Sequence, residues 1–490
     1  MALVHSTSGP PPKVVTEIGR KSASFHPSIW GDKFLAYSNP AVAKTDHKEE
    51  GHLQLLKDEV RKMLVEREKP QQELLGLIDD IQQLGLCYHF ESEIEDLLGQ
   101  INDSFGENYG KRNDVGLHDV ALCFRLLRQQ GHFVSSDVFY KFKDIKGNFN
   151  ENIVKDVRGM LSLYEAAHLR VQGEAILEEA LQFTTTHLNL YKISNLDDPL
   201  IDLVGRALRD PLRKGVNRMV ARHYISIYHK FDWHNQVLLD LAKCDFNLVQ
   251  KVHQMELAHI TRWDISTIDQ LPQYMTHCYR ALLNLFAEAE EDTVKEGGPT
   301  YGFGYAKDAF KRLVRSYQQE ANWCQASYFP NFKEYMSLAC VTDGLKLLSV
   351  ASLVLMGNVA TREAFEWMAK DPPILRASSL FGRLRNDIVG HVNERKRPHV
   401  PSAVECFMQQ YDVPKETAYE ALQKHCTNAW KNMNQECLHP IAIPMPLLTR
   451  VFNLSCTTNL LYDEGFDGYS ISLTRTKERI TSILIDPIPA

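Results

Sequence analysis

The sequence contains no pair of cysteines with the spacing of a metal or redox site. Its ten cysteines are scattered singly from Cys87 to Cys456, and no Cys-x-x-Cys motif occurs. Single scattered cysteines are typical of reduced thiols in a cytosolic protein, whereas a disulfide framework or a structural zinc site needs clustered ones. No histidine pair has the spacing of a zinc-binding His-Glu-x-x-His helix.

Long apolar runs and an excess of positive charge are also missing. The longest apolar run, residues 347–356, is too short to span a bilayer, which takes about 20 residues. The formal net charge of −7 disfavours nucleic acid as a general partner, because phosphate binding needs a basic surface. The N-terminus MALVHSTSGPPPKVV resembles neither a signal peptide nor a transit peptide. We therefore expect a cytoplasmic protein with no membrane span and a flexible tail over residues 1–20.

Strand-like alternation is rare, and neither a Gly-x-Gly-x-x-Gly motif nor a P-loop occurs. Helical periodicity runs nearly throughout the chain, which predicts an all-α fold. Proline breaks at Pro199 and Pro211 predict a boundary between two helical domains, residues 21–212 and 213–490. The clearest helical stripe lies on one face over five turns and consists of Val237, Leu241, Cys244, Leu248, Val252 and Met255.

Three groups of neighbouring carboxylates are candidates for a metal site. Asp79-Asp80 has apolar residues at helical spacing on both sides, which predicts a solvated helix face. Asp197-Asp198 precedes a proline, so we expect it to cap or end a helix. The acidic run that starts at Glu288 precedes a Gly-Gly pair and predicts exposed surface. None of the three has the form Asp-Asp-x-x-Asp.

A more promising cluster lies in FGRLRNDIVGHVNERKRPHV. On a helix, Arg383, Asn386, Gly390 and Glu394 lie close to one face, at steps of three, four and four. Asn and Glu supply hard oxygen ligands that suit magnesium, and Gly390 leaves room for a water molecule. Arg383 and the basic run at residues 395–397 supply positive charge for a polyanion such as diphosphate. The alternative interpretation is an ordinary charged helix end.

The segment LYDEGFDGYS near the C-terminus interleaves aromatic and acidic residues around two glycines. It fits a surface loop. It also fits a lid that places Tyr462, Phe466 and Tyr469 over an apolar pocket, where aromatic rings can stabilise a cation.

Several stretches, taken together, resemble the plant terpene synthase family, and within it the cytosolic sesquiterpene synthases, or sesquiterpene cyclases. They follow one another in the family's order over almost the whole chain, and as a set they are highly specific. They are SASFHPSIWGD, GLHDVALCFRLLRQQGHF, LEEALQFTTTHL, LAKCDFNLVQKVHQMELAHITRW, DISTIDQLPQYM, EAFEWMAKDPPIL, NDIVGHVNE, SAVECFMQQYDV and NAWKNMNQECLHP.

The resemblance implies an N-terminal helical domain with no retained chemistry and a C-terminal class I domain whose helices enclose an apolar cavity. In this family a magnesium cluster and basic residues hold a prenyl diphosphate and trigger loss of the diphosphate. The resulting allylic cation then cyclises against an inert aromatic wall. Metal ions neutralise the leaving group, and a dry pocket delays quenching by water. The implied cofactor is magnesium, with manganese as an alternative, and we expect a monomer.

Residue by residue, the resemblance assigns metal binding to Asn386, Asp387, Gly390 and Glu394. These match the family's second metal motif, (N/D)Dxx(S/T/G)xxxE, in which Gly390 is a known variation. A water must then replace the hydroxyl ligand. Arg383 matches a diphosphate-binding arginine.

The resemblance also assigns catalytic roles at the cavity lid to Tyr462, Asp467 and Tyr469. Arg20-Lys21, followed by Trp30, resembles a weakened tandem-arginine motif of the plastid monoterpene enzymes. Without a transit peptide, it favours farnesyl diphosphate as the substrate, with geranyl diphosphate as the alternative.

One departure lies in VTDGLKLL, where the family breaks a cavity-lining helix, usually with small and aromatic residues. Here Asp343 and Lys346 occupy part of the break. Two charged residues at the cavity wall leave the terpene product open.

The first metal motif of the family, Asp-Asp-x-x-Asp, is missing. In the family it follows the ELAHITRW helix after two further helical segments, and an Arg-x-Arg element that receives the diphosphate precedes it. This chain has no Asp-Asp-x-x-Asp motif, and no Arg-x-Arg element precedes Asp264. Trp263 is joined directly to Asp264 instead. Since the family carries Arg-Trp at both edges of this region, the join resembles an in-frame excision, by exon skipping, a gene-model error or a real deletion.

The alternative at this join is a genuine short loop, with Asp264 or Ser266 capping the next helix. Removing central helices from a bundle, however, leaves apolar faces without partners, at several kcal/mol for each large side chain. We therefore expect a sesquiterpene synthase that is inactive or severely impaired. The alternative is a helical interaction protein that binds a partner.

Overall fold

The computed structural model describes residues 47–66, 70–105, 109, 114–194, 198–260, 273–394, 400–463, 465–470 and 475–489. Its helices match the helical periodicity of the sequence. The predicted all-α class is confirmed, since the strands in these residues are two short ones that form a hairpin. The first group of helices is α1 (His47–Val65), α2 (Gln71–Gln83), α3 (Glu91–Phe105), α4 (Leu117–Gln129), α5 (Val157–Ala167), α6 (Ala175–Ser194), α7 (Leu200–Arg209), α8 (Asn217–Ile227) and α9 (Gln236–Ile260).

A second group of helices follows the undescribed residues 261–272. It comprises α10 (Gln273–Lys295), α11 (Tyr301–Ala326), α12 (Phe332–Thr342), α13 (Leu345–Val354), α14 (Arg362–Ala369), α15 (Pro373–Glu394), α16 (Ala403–Tyr411), α17 (Lys415–Glu436), α18 (Met445–Leu461) and α19 (Arg475–Leu484). Strands β1 (Tyr462–Asp463) and β2 (Phe466–Asp467) pair antiparallel between α18 and α19. Short 3₁₀ turns occur at Cys87–His89, Ser136–Phe142, Glu151–Lys155, Tyr228–Lys230 and Gly357–Val359.

Two hydrophobic cores correspond to these two groups of helices. The first extends from Leu53 on α1 to Phe246 on α9 and also takes up Ile488 near the C-terminus. The second extends from Phe303 on α11 to Cys456 on α18. Two helical units are thereby confirmed. The boundary expected at residues 212 and 213 stays a prediction, because α8 and α9 follow it in the chain yet belong to the first core.

Local sequence signals explain where several helices begin. The Asp198 carboxylate accepts a hydrogen bond of 2.8 Å from the Leu200 amide, so this aspartate caps the start of α7 as expected. Ser402 and Glu405 form a capping box at the start of α16. The predicted break in the cavity-lining helix is confirmed. Asp343 ends α12, and Gly344, with a φ of 80°, adopts the left-handed conformation before α13 begins.

The expectation that Asp79-Asp80 forms a solvated helix face is wrong. Asp80 is buried and accepts hydrogen bonds of 2.8 Å from the hydroxyls of Tyr224 and Tyr228, both of which come from the α8 region. Asp79 forms an ion pair with Arg125 on α4. These partners are distant in sequence, so local periodicity could not reveal them. The acidic run on α10 is mostly exposed, as predicted.

The apolar stretch 332–354 is long and apolar enough to pass a test for a membrane span by length and composition, which is weak support for one. Half of its most apolar window is buried inside the fold, and the Asp343-Gly344 break divides it into α12 and α13. It therefore has the character of core helices. The described cysteines are all free thiols, as expected from their scattered positions.

Candidate functional site

Helix α15 carries the predicted magnesium and diphosphate residues. The end of α12 packs against it, so the last turn of α12 faces Arg383. The Arg383 Nε donates to the Ala339 carbonyl at 3.1 Å, and its Nη2 donates to the Thr342 hydroxyl at 3.1 Å. On its own helix, its Nη1 lies 3.4 Å from Asn386 Oδ1. Three anchors therefore fix the guanidinium, whose side chain is 15% exposed.

The charge around Arg383 is predominantly negative. Burial is the largest single influence on its pKa and lowers it, but the acidic groups of Tyr335, Asp387, Asp343 and Glu320 together raise the pKa well above its ordinary value. Burial also raises the pKa of Glu320, whose carboxylate accepts a hydrogen bond from Thr342. The arginine is permanently cationic, and its charge already interacts with several acidic groups when no diphosphate is bound.

Asp387 points away from the other motif residues and into the protein. Its side chain is 2% exposed, and its Oδ2 accepts hydrogen bonds from the Tyr335 hydroxyl at 2.7 Å and the Ala403 amide at 2.8 Å. Its Oδ1 lies 3.4 Å from Arg383 Nη1. Both oxygens are thus engaged by the protein, which favours a role in tying α12, α15 and α16 together over the metal binding implied by the resemblance.

Asn386, Gly390 and Glu394 form a surface that fits one hydrated magnesium ion. A Cβ added at Gly390 would lie 3.3 Å from both Cδ and Oε1 of Glu394, so the glutamate carboxylate reaches back over the glycine. Asn386 lies one turn further towards the N-terminus of α15. Magnesium is commonly held by one or two protein oxygens, with water and substrate phosphate in its remaining positions. The side-chain oxygens of Asn386 and Glu394 agree with this mode of magnesium binding.

The predicted lid is a hairpin formed by β1 and β2. Tyr462 is buried, and burial raises its pKa, while the neighbouring Asn386 side chain acts to lower it. Asp467 Oδ1 accepts from the amides of Tyr469 and Ser470 at 3.1 and 2.9 Å, so this acid shapes the turn after β2. Tyr469 is 74% exposed. Tyr462 therefore joins the metal-motif surface, Asp467 supports the hairpin, and Tyr469 faces solvent.

The charged residues at the helix break separate into two environments. Asp343 is half-buried; its Oδ1 accepts from the Leu345 amide at 3.1 Å, and its Oδ2, itself buried, has no partner among the described residues. Burial raises the pKa of Asp343 to about 7. Lys346 turns away to an ion pair of 2.9 Å with Asp371. Of these two residues, Asp343 is the one whose charge acts on Arg383.

Three residues at the site were not predicted from the sequence: Glu320, Tyr335 and Arg385. Glu320 and Tyr335 lie on α11 and α12, and their helical spacing carries no sign of a contact with α15. Arg385 donates to the Tyr462 carbonyl and so anchors the hairpin to α15. Arg385 is the second arginine of the RLRND segment. The sequence alone does not show that its side chain and that of Arg383 have different partners.

Some expectations fall outside the described residues. They concern Arg20, Lys21 and Trp30, the basic run at residues 395–397, and the join between Trp263 and Asp264. Within the described ranges, no group of three or more His, Cys, Asp or Glu side chains could hold a metal ion.

Two family models match the chain. Residues 29–208 match the N-terminal domain of terpene synthases, and residues 254–432 match the metal binding domain of the terpene synthase family. Sesquiterpene synthase 2 of Thapsia garganica is 56% identical, and the alignment covers 99% of this chain and 99% of that relative. The (-)-germacrene D synthase of Vitis vinifera is 42% identical over 96% of this chain and 97% of its own length.

Solved structures give the same result. Isoprene synthase from grey poplar leaves, in complex with three Mg²⁺ ions and dimethylallyl-S-thiolodiphosphate, superposes with a TM-score of 0.79 at 28% identity, over 90% of this chain and 97% of that one. A limonene synthase with 2-fluorolinalyl diphosphate gives a TM-score of 0.82 at 26% identity, over 95% of this chain and 99% of that one.

The sequence alignment with a close relative is longer than this chain. The alignment with the 56% identical Thapsia garganica relative runs over 562 positions, whereas this chain has 490 residues. The difference, 562 − 490 = 72, is the smallest number of aligned positions at which this chain has no residue.

Proposed function

We propose, from the premise that this chain belongs to the terpene synthase family, that it is a sesquiterpene synthase with half of its metal machinery missing. Members of the family are lyases that ionise and cyclise prenyl diphosphates. The observation that carries the proposal is the retained half-site on α15, Arg383 with Asn386 and Glu394, in a chain that has no Asp-Asp-x-x-Asp motif.

The retained half-site supports binding of a diphosphate. Asn386 and Glu394 would hold magnesium, which when bound neutralises charge on the leaving diphosphate. Arg383, anchored by two oxygens of α12, would donate to a diphosphate oxygen without reordering its side chain. Tyr462, which lies next to Asn386, would help to orient the amide towards the ion. These residues bind and orient the leaving group.

The missing half would place a second set of carboxylates and metal ions across the cavity. The 72 or more unmatched alignment positions are numerous enough for the helices that we propose are missing between Trp263 and Asp264. Without them, the leaving group loses charge stabilisation worth several kcal/mol. A loss of about 4 kcal/mol corresponds to a rate lower by about 10³. Turnover should therefore be severely impaired or absent.

Exposed apolar side chains on α9, α10 and α11 support the missing segment. On α9 the predicted stripe is fully buried at Leu241, but Val252 is 41% exposed. On α10, Leu285 is 59% and Val294 60% exposed, and Val314 on α11 is 50% exposed. Isolated exposed apolar residues are ordinary, but several on consecutive helices indicate a face without its partner. Helices restored at this position would cover it.

For the substrate, the proposal specifies farnesyl diphosphate, in agreement with the sesquiterpene synthases among the relatives. Geranyl diphosphate is the alternative. The proposal also includes that the protein is a monomer and lies in the cytoplasm.

The test is an assay of the purified 490-residue chain with magnesium and each prenyl diphosphate, with products extracted and analysed by gas chromatography. We expect no cyclised product above the enzyme-free control. Robust turnover of farnesyl diphosphate would contradict the proposed impairment, and preference for geranyl diphosphate would overturn the substrate assignment.

A separate titration tests the retained half-site, with inorganic diphosphate and magnesium added to the chain. Weak binding is expected, and Arg383→Gln should abolish it. Arg376→Gln is the matched control, since Arg376 lies on the same helix but is exposed. Equal binding by both variants would remove Arg383 from the site.

A second candidate function, a helical interaction protein, is favoured by the same exposed side chains on α9, α10 and α11. It predicts that the chain co-purifies in a stable complex with a full-length synthase. Recovery of the free chain alone, in the presence of excess synthase, would argue against it.

A further inference from the structure

Hydrogen-bond donors without acceptors gather between the two helical units. His168, directly after α5, is 5% exposed, and neither of its ring nitrogens has a partner in the described structure. Trp430 on α17 is 3% exposed, and its Nε1 also has none. The Arg385 Nε on α15 is likewise buried without an acceptor. Buried polar groups are nearly always hydrogen-bonded, so three such groups together require an explanation.

Lys214 completes this donor group. It lies half-buried in the connection between α7 and α8, with its Nζ 5.3 Å from the centroid of the Trp430 ring. Asn434, one turn after Trp430 on α17, donates to the carbonyls of His168 and Arg170 at 3.0 and 3.1 Å. This contact holds the end of α5 against α17 and brings residues of both helical units to one place.

The charge in the donor group is not balanced by a nearby acid. After burial, the groups that most affect the pKa of Lys214 are Arg170, Arg385, Cys426 and Cys456, and none of them is a carboxylate. Arg170 already has a partner, Glu178, at 2.8 Å, and Glu178 also pairs with Lys431. The charge of Asp463 acts to raise the pKa of Arg385, which burial lowers. Asp463 also lies 3.5 Å from Arg479, which competes for its charge. Positive charge is therefore in excess at Lys214.

A neutral His168 adds a further donor to this group. Burial, with the nearby charges of Lys214 and Arg170, lowers its pKa well below its ordinary value. A neutral imidazole still presents one N–H, while Trp430 and Arg385 each offer one N–H as well. Unpaired cationic and N–H groups in a partly dry site are costly, and a bound anion removes that cost.

We propose that His168, Lys214, Arg385 and Trp430 form a binding site for a small inorganic anion between the two helical units. Lys214 is half-buried, so the ion can enter from solvent. The anion accepts hydrogen bonds from both units at once, and its binding favours the docked arrangement over any state in which the units separate. The site uses none of Arg383, Asn386 and Glu394 and does not depend on the proposed catalytic function.

Thermal unfolding of the 490-residue chain in sodium chloride, against sodium gluconate at equal ionic strength, tests the proposal. Gluconate is too bulky for a site of this kind. The melting temperature should be higher by a few degrees in chloride, and Lys214→Met should remove the difference. Lys424→Met is the matched control, because Lys424 is an exposed lysine on α17, and it should keep the difference. The same difference in Lys214→Met, or none in the wild type, would overturn the site.

A measurement on the unmodified chain covers the case in which Lys214→Met fails to fold. Crystals grown in sodium bromide should give an anomalous peak within hydrogen-bonding reach of Lys214 Nζ and Trp430 Nε1. Bromide peaks confined to the outer surface would contradict the proposal.

Discussion

Asp387 connects three helices of the second unit, and its replacement gives a sharp test of how the site is held. Asp387→Asn removes the negative charge that faces Arg383 at 3.4 Å and replaces one carboxylate oxygen by an amide. The new side chain has a single acceptor oxygen, so it cannot serve Arg383 and, on the opposite side, both Tyr335 and Ala403.

Hydrogen bonds to charged groups contribute about 1.5–3 kcal/mol each, and breaking a buried ion pair costs about 3–5 kcal/mol. Because the amide retains part of this network, we expect a loss of about 3 kcal/mol in the free energy of unfolding. That is a large share of a total stability of about 5–15 kcal/mol. Urea unfolding followed by circular dichroism measures it as a lower transition midpoint.

The matched control is Asn386→Ala at the adjacent position. Asn386 is only half-buried and bonds weakly to Arg383, so its removal should cost about 1 kcal/mol or less while it impairs magnesium binding. The opposite order, a stable Asp387→Asn and an unstable Asn386→Ala, would refute a structural role for Asp387.

Three further predictions concern other buried groups. Since burial raises the pKa of Asp343 to about 7, the folded chain holds this proton more tightly than the unfolded one. Stability from this group therefore falls as the pH rises from about 4 to about 7, and Asp343→Asn should stabilise the chain more at pH 8 than at pH 5 in urea unfolding. Tyr228→Phe should lower the free energy of unfolding by about 2 kcal/mol in the same assay, because it leaves Asp80 Oδ2 and the Asn235 amide each without a partner. Gly390→Ser should strengthen magnesium-dependent diphosphate binding several-fold in a calorimetric titration, once Glu394 moves from its 3.3 Å approach.

Sequence periodicity predicted the helices well because each buries one face, as Leu241 on α9 shows. The break after α12 was expected from the family resemblance, and Gly344 supplies the left-handed residue that such a break requires. The side-by-side placement of Asn386 and Glu394 followed from helix geometry alone.

The direction of the adjacent carboxylate could not be predicted in this way. Asp387 is one residue from Asn386, so it points about 100° away around the helix, and its role depends on Tyr335 and Ala403 from other helices. The burial of Asp80 was missed for the same reason, because Tyr224 and Tyr228 come from far along the chain.

The missing segment between Trp263 and Asp264 is the central claim. Its most direct test inserts the corresponding residues of the 56% identical Thapsia garganica relative between these two positions and compares turnover with the 490-residue chain. With farnesyl diphosphate and magnesium, the restored chain should form cyclised products at a rate at least about 10³ higher than the chain without the insert. Equal product formation by both chains would show that the segment is dispensable and would contradict the account.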